Sequence, residues 1–70
     1  MTKRIVERLI RESNGSSMTA EIFANDGDEL GVDYFINGDP IKTELFHGRS
    51  RHYVESAVEN WFNGIKVLNG

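Results

Sequence analysis

His52, Glu55 and Glu59 stand at helical offsets of three and seven, with His47 five residues before His52. Imidazole and carboxylate are ligands that zinc accepts. The same offsets describe any solvated helix face that carries charges, and the His47-x4-His52 interval fits no zinc signature. The chain has no cysteine, so thiolate ligands are missing as well. The expectation is no metal and no cofactor. Asp26, Asp28, Asp33 and Glu44 are the carboxylates from which an acid–base pair would have to be drawn. Such work requires a carboxyl whose pKa is raised by burial or by a close neighbour in a cleft. Asn25-Asp26-Gly27-Asp28-Glu29 reads more simply as an exposed turn, and Asp26-x-Asp28 lacks the downstream glycine and bidentate glutamate of an EF-hand. Nucleophile motifs and glycine-rich phosphate loops are absent. No catalytic residue is expected, and the chain is not expected to be an enzyme.

Arg49, Arg51 and His52 form a second constellation, a basic start to the last helix that could meet phosphates. Charge along the chain limits that reading. Lys3, Arg4, Arg8 and Arg11 outnumber Glu7 and Glu12 at the beginning, whereas Glu21, Asp26, Asp28, Glu29, Asp33, Asp39 and Glu44 face Lys42 alone in the middle. The middle should repel phosphate and the ends tolerate it. Tyr34, Phe35, Phe46, Tyr53, Trp61 and Phe62 could stack bases, but single-strand binders pair such rings with a positive groove. Core packing is the simpler role for them.

The elements that hold these residues follow from periodicity. Met18, Ala20 and Ile22 alternate with Thr19, Glu21 and Phe23. Leu30, Val32, Tyr34 and Ile36 alternate with Gly31, Asp33, Phe35 and Asn37. Both runs are half-buried strands, separated by Asn25-Asp26-Gly27-Asp28 and closed by Asn37-Gly38. Pro40 suits the mouth of a further strand over 41–46. Ser50 is a suitable N-cap, after which Val54, Ala57, Val58, Trp61 and Ile65 make one helical stripe widened by Tyr53 and Phe62. Asn63-Gly64 ends the helix, or the helix continues to Leu68.

Residues 3–12 allow two readings. Ile5, Val6, Leu9 and Ile10 have helical spacing, yet the Ser13-Asn14-Gly15-Ser16 turn would make them a strand paired with the next. Pairing positions whose numbers sum to about 29 sets Arg8 opposite Glu21, Val6 opposite Phe23 and Leu9 beside Ala20. The strand is the reading adopted. The fold class is then α+β: a four-stranded antiparallel meander with one C-terminal helix packed on one face, in a single domain over 1–70. The alternative is helix, three strands, helix.

In that alternative order, with Gly48-Arg49-Ser50-Arg51-His52 opening the last helix, the chain resembles double-stranded RNA-binding domains, whose basic helix start meets phosphates across a groove. It departs from them in its acidic first hairpin loop and in Glu55 and Glu59. Glu55-Ser56-Ala57-Val58-Glu59-Asn60-Trp61-Phe62-Asn63-Gly64-Ile65, with the preceding meander, is similar to short proteins encoded by tailed phages of marine bacteria. That group has no assigned activity, so the resemblance implies a fold and a viral origin only.

The strand reading makes both sheet faces apolar. One gathers Ile5, Leu9, Met18, Ala20 and Ile22 with the Leu30 row, the other Val6, Ile10, Phe23 and Phe35. One helix covers one face, and an uncovered patch larger than monomers tolerate implies company. Val6, Ile10, Phe23 and Phe35 are the expected contact residues of a homodimer or protein partner, and the expected function is that of a small non-enzymatic interaction protein. The competing expectation is a nucleic-acid-binding module using Arg49, Arg51 and His52. No apolar run approaches the ~20 residues that span a bilayer. Without a secretory signal either, a cytoplasmic location and no membrane partner are expected.

Overall fold

The computed structural model describes residues 3–13 and 15–64. Four strands, β1 (Arg4–Ser13), β2 (Ser16–Ala24), β3 (Leu30–Ile36) and β4 (Asp39–Phe46), precede one helix, α1 (Arg51–Phe62). The strands form one antiparallel sheet in the order β1-β2-β3-β4. This is the α+β meander with a C-terminal helix; residues 4–13 are strand, not helix. Their helical spacing is overridden by pairing with β2, which runs the length of the segment from Arg4↔Ala24 to Ser13↔Ser16 and satisfies the backbone groups on that side.

The turns follow the chemistry of their residues. Asn37 and Gly38 both take positive φ, the geometry of a two-residue hairpin whose twist matches the strands. Between β2 and β3 the Asn25 amide donates to the Glu29 carbonyl at 2.8 Å, and Gly27 and Asp28 lie at positive φ. Asn14 lies outside the described residues, and Gly15 beside it has φ +79°. Ser50 caps α1, its hydroxyl accepting from the Tyr53 amide at 3.2 Å. The helix stops at Phe62, and Gly64 follows in the left-handed region with its amide donating to the Trp61 carbonyl at 3.0 Å. Ile65 and Leu68 lie outside the described residues.

Ala20, Ile22, Val32 and Tyr34 from the central strands pack against Val54, Ala57, Val58 and Trp61 of α1, joined by Phe46. The Tyr34 and Trp61 rings meet edge to face at 4.7 Å, a favoured aromatic geometry. Tyr34 is completely buried, and its hydroxyl donates to Glu44 Oε1 at 2.9 Å. Burial first, and the Glu44 carboxylate second, push its phenol above its ordinary range.

The register matches the sum of 29 at Arg8↔Glu21 and Leu9↔Ala20, but a bulge intervenes at Val6, so Ile5, not Val6, opposes Phe23. An extra residue shifts the pleat by one, and every residue before it changes face. Val6 therefore packs on the helix-side core, and Ile5 takes its place on the open face. The expected membership of the two faces is corrected at these two positions.

Candidate functional site

Residues in register across a sheet point to the same side, so the pairing alone divides the open face into three rungs. The first is Ile5, Phe23, Gly31, Leu45; the second Arg8, Glu21, Asp33, Thr43; the third Ile10, Thr19, Phe35, Pro40. Two largely apolar rungs thus flank a polar one that crosses all four strands. The continuous apolar patch expected from alternation is not there.

The polar rung is internally matched. Arg8 meets Glu21 at 2.6 Å, Lys3 meets Asp33 at 2.6 Å, and the Thr43 hydroxyl donates to the other Asp33 oxygen at 2.6 Å. Heights differ: the Arg8 and Lys3 side chains are 59% and 47% exposed, against 18% and 15% for Glu21 and Asp33. The cations stand above the carboxylates they neutralise.

Of the four contact residues expected from sequence, Ile10 is 61% exposed and Phe35 half-buried, both on this face. Phe23 is on this face too, but only 2% of it is exposed. Its ring occupies the space left by Gly31, where an added Cβ would overlap Phe23 Cζ and lie 2.8 Å from Cε1 and 3.0 Å from Leu45 Cδ2. Lys3 Nζ sits 4.3 Å above that ring. Phe23 is thus covered within the chain, and Val6 is on the other side. Ile5 and Leu45, each 46% exposed, are the apolar residues that sequence reading missed on this face. A glycine inside a strand was the available signal, because it marks close approach of a neighbouring group. The bulge at Val6 had none.

A shallow hollow of about 300 Å³ opens over β2, lined by Ile10, Thr19 and Phe35 with Arg8, Glu21 and Gly38. Its floor is the short Thr19, and taller Ile10 and Phe35 stand on either side in the same rung. It can receive an apolar side chain beside a charged rim.

The basic helix start is arranged differently. Arg51 reaches Glu7 at 3.1 Å and Glu55 at 3.3 Å, and its Nη2 also donates to the Val6 carbonyl at 3.5 Å. The hydrogen bond from Arg51 is the main reason that the Glu7 carboxyl is held below its usual range, and Glu7 in turn raises Arg51. Arg49 stacks on Tyr53 at 4.6 Å, while exposed His52 lies beside Glu55, Ser56, Glu59 and Asn60 and, among the described residues, carries no hydrogen bond or ion pair to β1 or to Arg49. The three candidate phosphate contacts do not converge. Glu59 is not simply solvated: it accepts from Arg11 at 3.1 Å, and Arg11 also donates to Asn63 at 2.8 Å and leans on the Phe62 ring at 5.1 Å. Arg51, Glu55, Glu59 and Asn63 recur every four residues; Arg51, Glu59 and Asn63 clasp the edge strand β1, and Glu55 pairs with Arg51.

His47 pairs with Glu29 across the end of the sheet. Among the described residues no group of three or more histidine and carboxylate side chains is placed to hold a metal ion. None of the described helices is long and apolar enough to cross a membrane. Comparison with protein-family models, with curated proteins and with solved structures finds no match to this chain.

Proposed function

We propose that the protein is a small non-enzymatic interaction module that works through the open face of its sheet. The observation carrying this reading is the exposure of Ile10, Ile5 and Leu45 on one side of a sheet whose helix lies on the other. Exposed isoleucine beside a hollow, with a polar rung that supplies direction, resembles the make-up of an interface: apolar contact area plus a few placed charges. Fully burying an exposed isoleucine side chain is favourable by about 1.5 to 3 kcal/mol, of which Ile10, 61% exposed, retains the larger part for a contact.

The reading has a direct test. Carbene footprinting over a protein concentration series should protect Ile5, Ile10, Phe35 and Leu45 while labelling of the outer helix residues Ser56 and Asn60 stays constant. Ile10→Asp should abolish the protection without lowering the melting temperature by more than a few degrees. Equal labelling of both surfaces at every concentration refutes self-association through this face. Nucleic-acid binding is the less supported reading, because Arg51 is engaged by Glu7 and Glu55.

A further inference from the structure

We infer that the open face receives a second copy of this chain, related by a two-fold axis that runs parallel to the strands and passes over β2. This rests on the interaction reading above and adds the occupant and its orientation.

Closed homodimers use self-complementary interfaces, and two sheets packed face to face keep their strands within about 30° at ~10 Å separation. The two-fold axis then lies in the plane between them, either across the strands or along them. An axis across the strands and centred on the polar rung sets Arg8 on the partner's Arg8 and Asp33 on the partner's Asp33. Like charges meet on both sides. An axis along the strands between β2 and β3 sets Glu21 on the partner's Asp33 and Arg8 on the partner's uncharged Thr43, so acid meets acid twice and no cation meets an acid. Over β2 the outcome differs, because β1 then opposes the partner's β3, rung by rung.

In that arrangement Arg8 faces the partner's Asp33, Ile10 faces the partner's Phe35, and Ile5 faces the partner's Gly31, each contact occurring twice. Thr19, the low point of the hollow, lies on the axis opposite its own copy. Arg8 has donors to spare beyond its bond to Glu21, because a guanidinium carries five. Asp33 has room as well: Lys3 and Thr43 occupy two of its roughly four acceptor positions. Lys3 already stands over the low Asp33, so Arg8 must reach that carboxylate beside a second cation. Glu21 meets its own copy on the axis, each one neutralised by its own Arg8 at 2.6 Å. Moving the axis to lie between β1 and β2 also matches charge, but it overlaps two strands instead of three.

Three strands ~4.8 Å apart and about six residues of overlap give a footprint of roughly 14 by 20 Å. That is well below the ~800 Å² per partner of standard interfaces and falls among weak, transient contacts.

Charge exchange tests the axis. Arg8→Glu and Asp33→Arg should each weaken self-association at least tenfold in sedimentation velocity, because each homodimer then carries two repulsive contacts. An equimolar mixture of the two variants should associate as a heterodimer about as well as the original chain does, both contacts being restored. As a second measurement that leaves the ion pairs intact, Thr19→Cys should be cross-linked to its own copy by a short bis-maleimide, whereas Thr43→Cys, on the strand outside the overlap, should not. If the original chain dimerises with the open face protected but neither the mixture nor Thr19→Cys behaves so, the axis is wrong and the interaction reading stands. If the chain is monomeric at millimolar concentration, the second copy is excluded as occupant.

Discussion

The two faces of the sheet are built from alternate residues of the same four strands, yet they place their polar groups in opposite ways. Under α1 the polar residues run along the borders. Glu7 and Arg11 on β1 and Lys42 and Glu44 on β4 flank the apolar rows of β2 and β3 in register. On the open side the polar residues run across the sheet as a single rung through all four strands. A helix lying along the strands covers their middle and leaves the borders wet, so charges there reach both solvent and the helix flanks. Arg51 and Glu59 use that geometry to hold β1. A rung across the sheet cannot be covered by such a helix without burying three charges at once. It also divides a would-be patch into two short apolar strips.

Substitutions on the covered face should act on stability. Trp61→Ala, which removes the ring against Tyr34, should cost about 3 to 5 kcal/mol in urea titration and unfold much of a domain this small. A loss under about 1 kcal/mol would mean that the helix contributes little. Gly31→Ala comes next. The new methyl must displace the Phe23 ring, so a cost of about 1 to 3 kcal/mol is expected, together with greater labelling of Phe23 on the open face.

Tyr34→Phe should cost about 1 kcal/mol at neutral pH through the lost bond to Glu44. It should also flatten the alkaline limb of the stability curve. Because the phenol is raised in the folded state, its contribution is complete below the ordinary tyrosine value of about 10 and is lost as pH rises beyond it. An unchanged alkaline limb in the variant would mean that Tyr34 does not govern it.

A smaller stability effect belongs to the border clasp. Glu7→Gln should cost under about 1 kcal/mol at pH 7, since the pair is solvent-screened. A depressed carboxyl contributes above its ordinary pKa and loses that contribution as pH falls through its folded value, so the variant should lose less stability than the original chain on acidification. Ile10→Asp completes the contrast, with a large effect on association and a change within about 0.5 kcal/mol on folding.

Alternation in 18–24 and 30–36, the Asn37-Gly38 turn, the Ser50 cap and the Val54 to Trp61 stripe were all legible in the chain, because each depends on residues within a few positions of one another. The register also followed from a two-residue turn. What escaped was decided by groups distant in sequence. The bulge at Val6 exchanged Ile5 and Val6 between faces, and Phe23 turned inward because Gly31 on the neighbouring strand left it room. Arg51, which read as a free cation beside serine and glycine, found Glu7 more than forty residues away.

The linear order of side chains was enough to specify an α+β meander with its helix on one side, since local periods of two and about three and a half are properties of neighbouring residues. Which apolar groups end in water was settled only by folding, since exposure depends on what the adjoining strands place beside each one. The same holds for the transverse rung. Arg8, Glu21, Asp33 and Thr43 are scattered along the chain and become one feature only when four strands come into register.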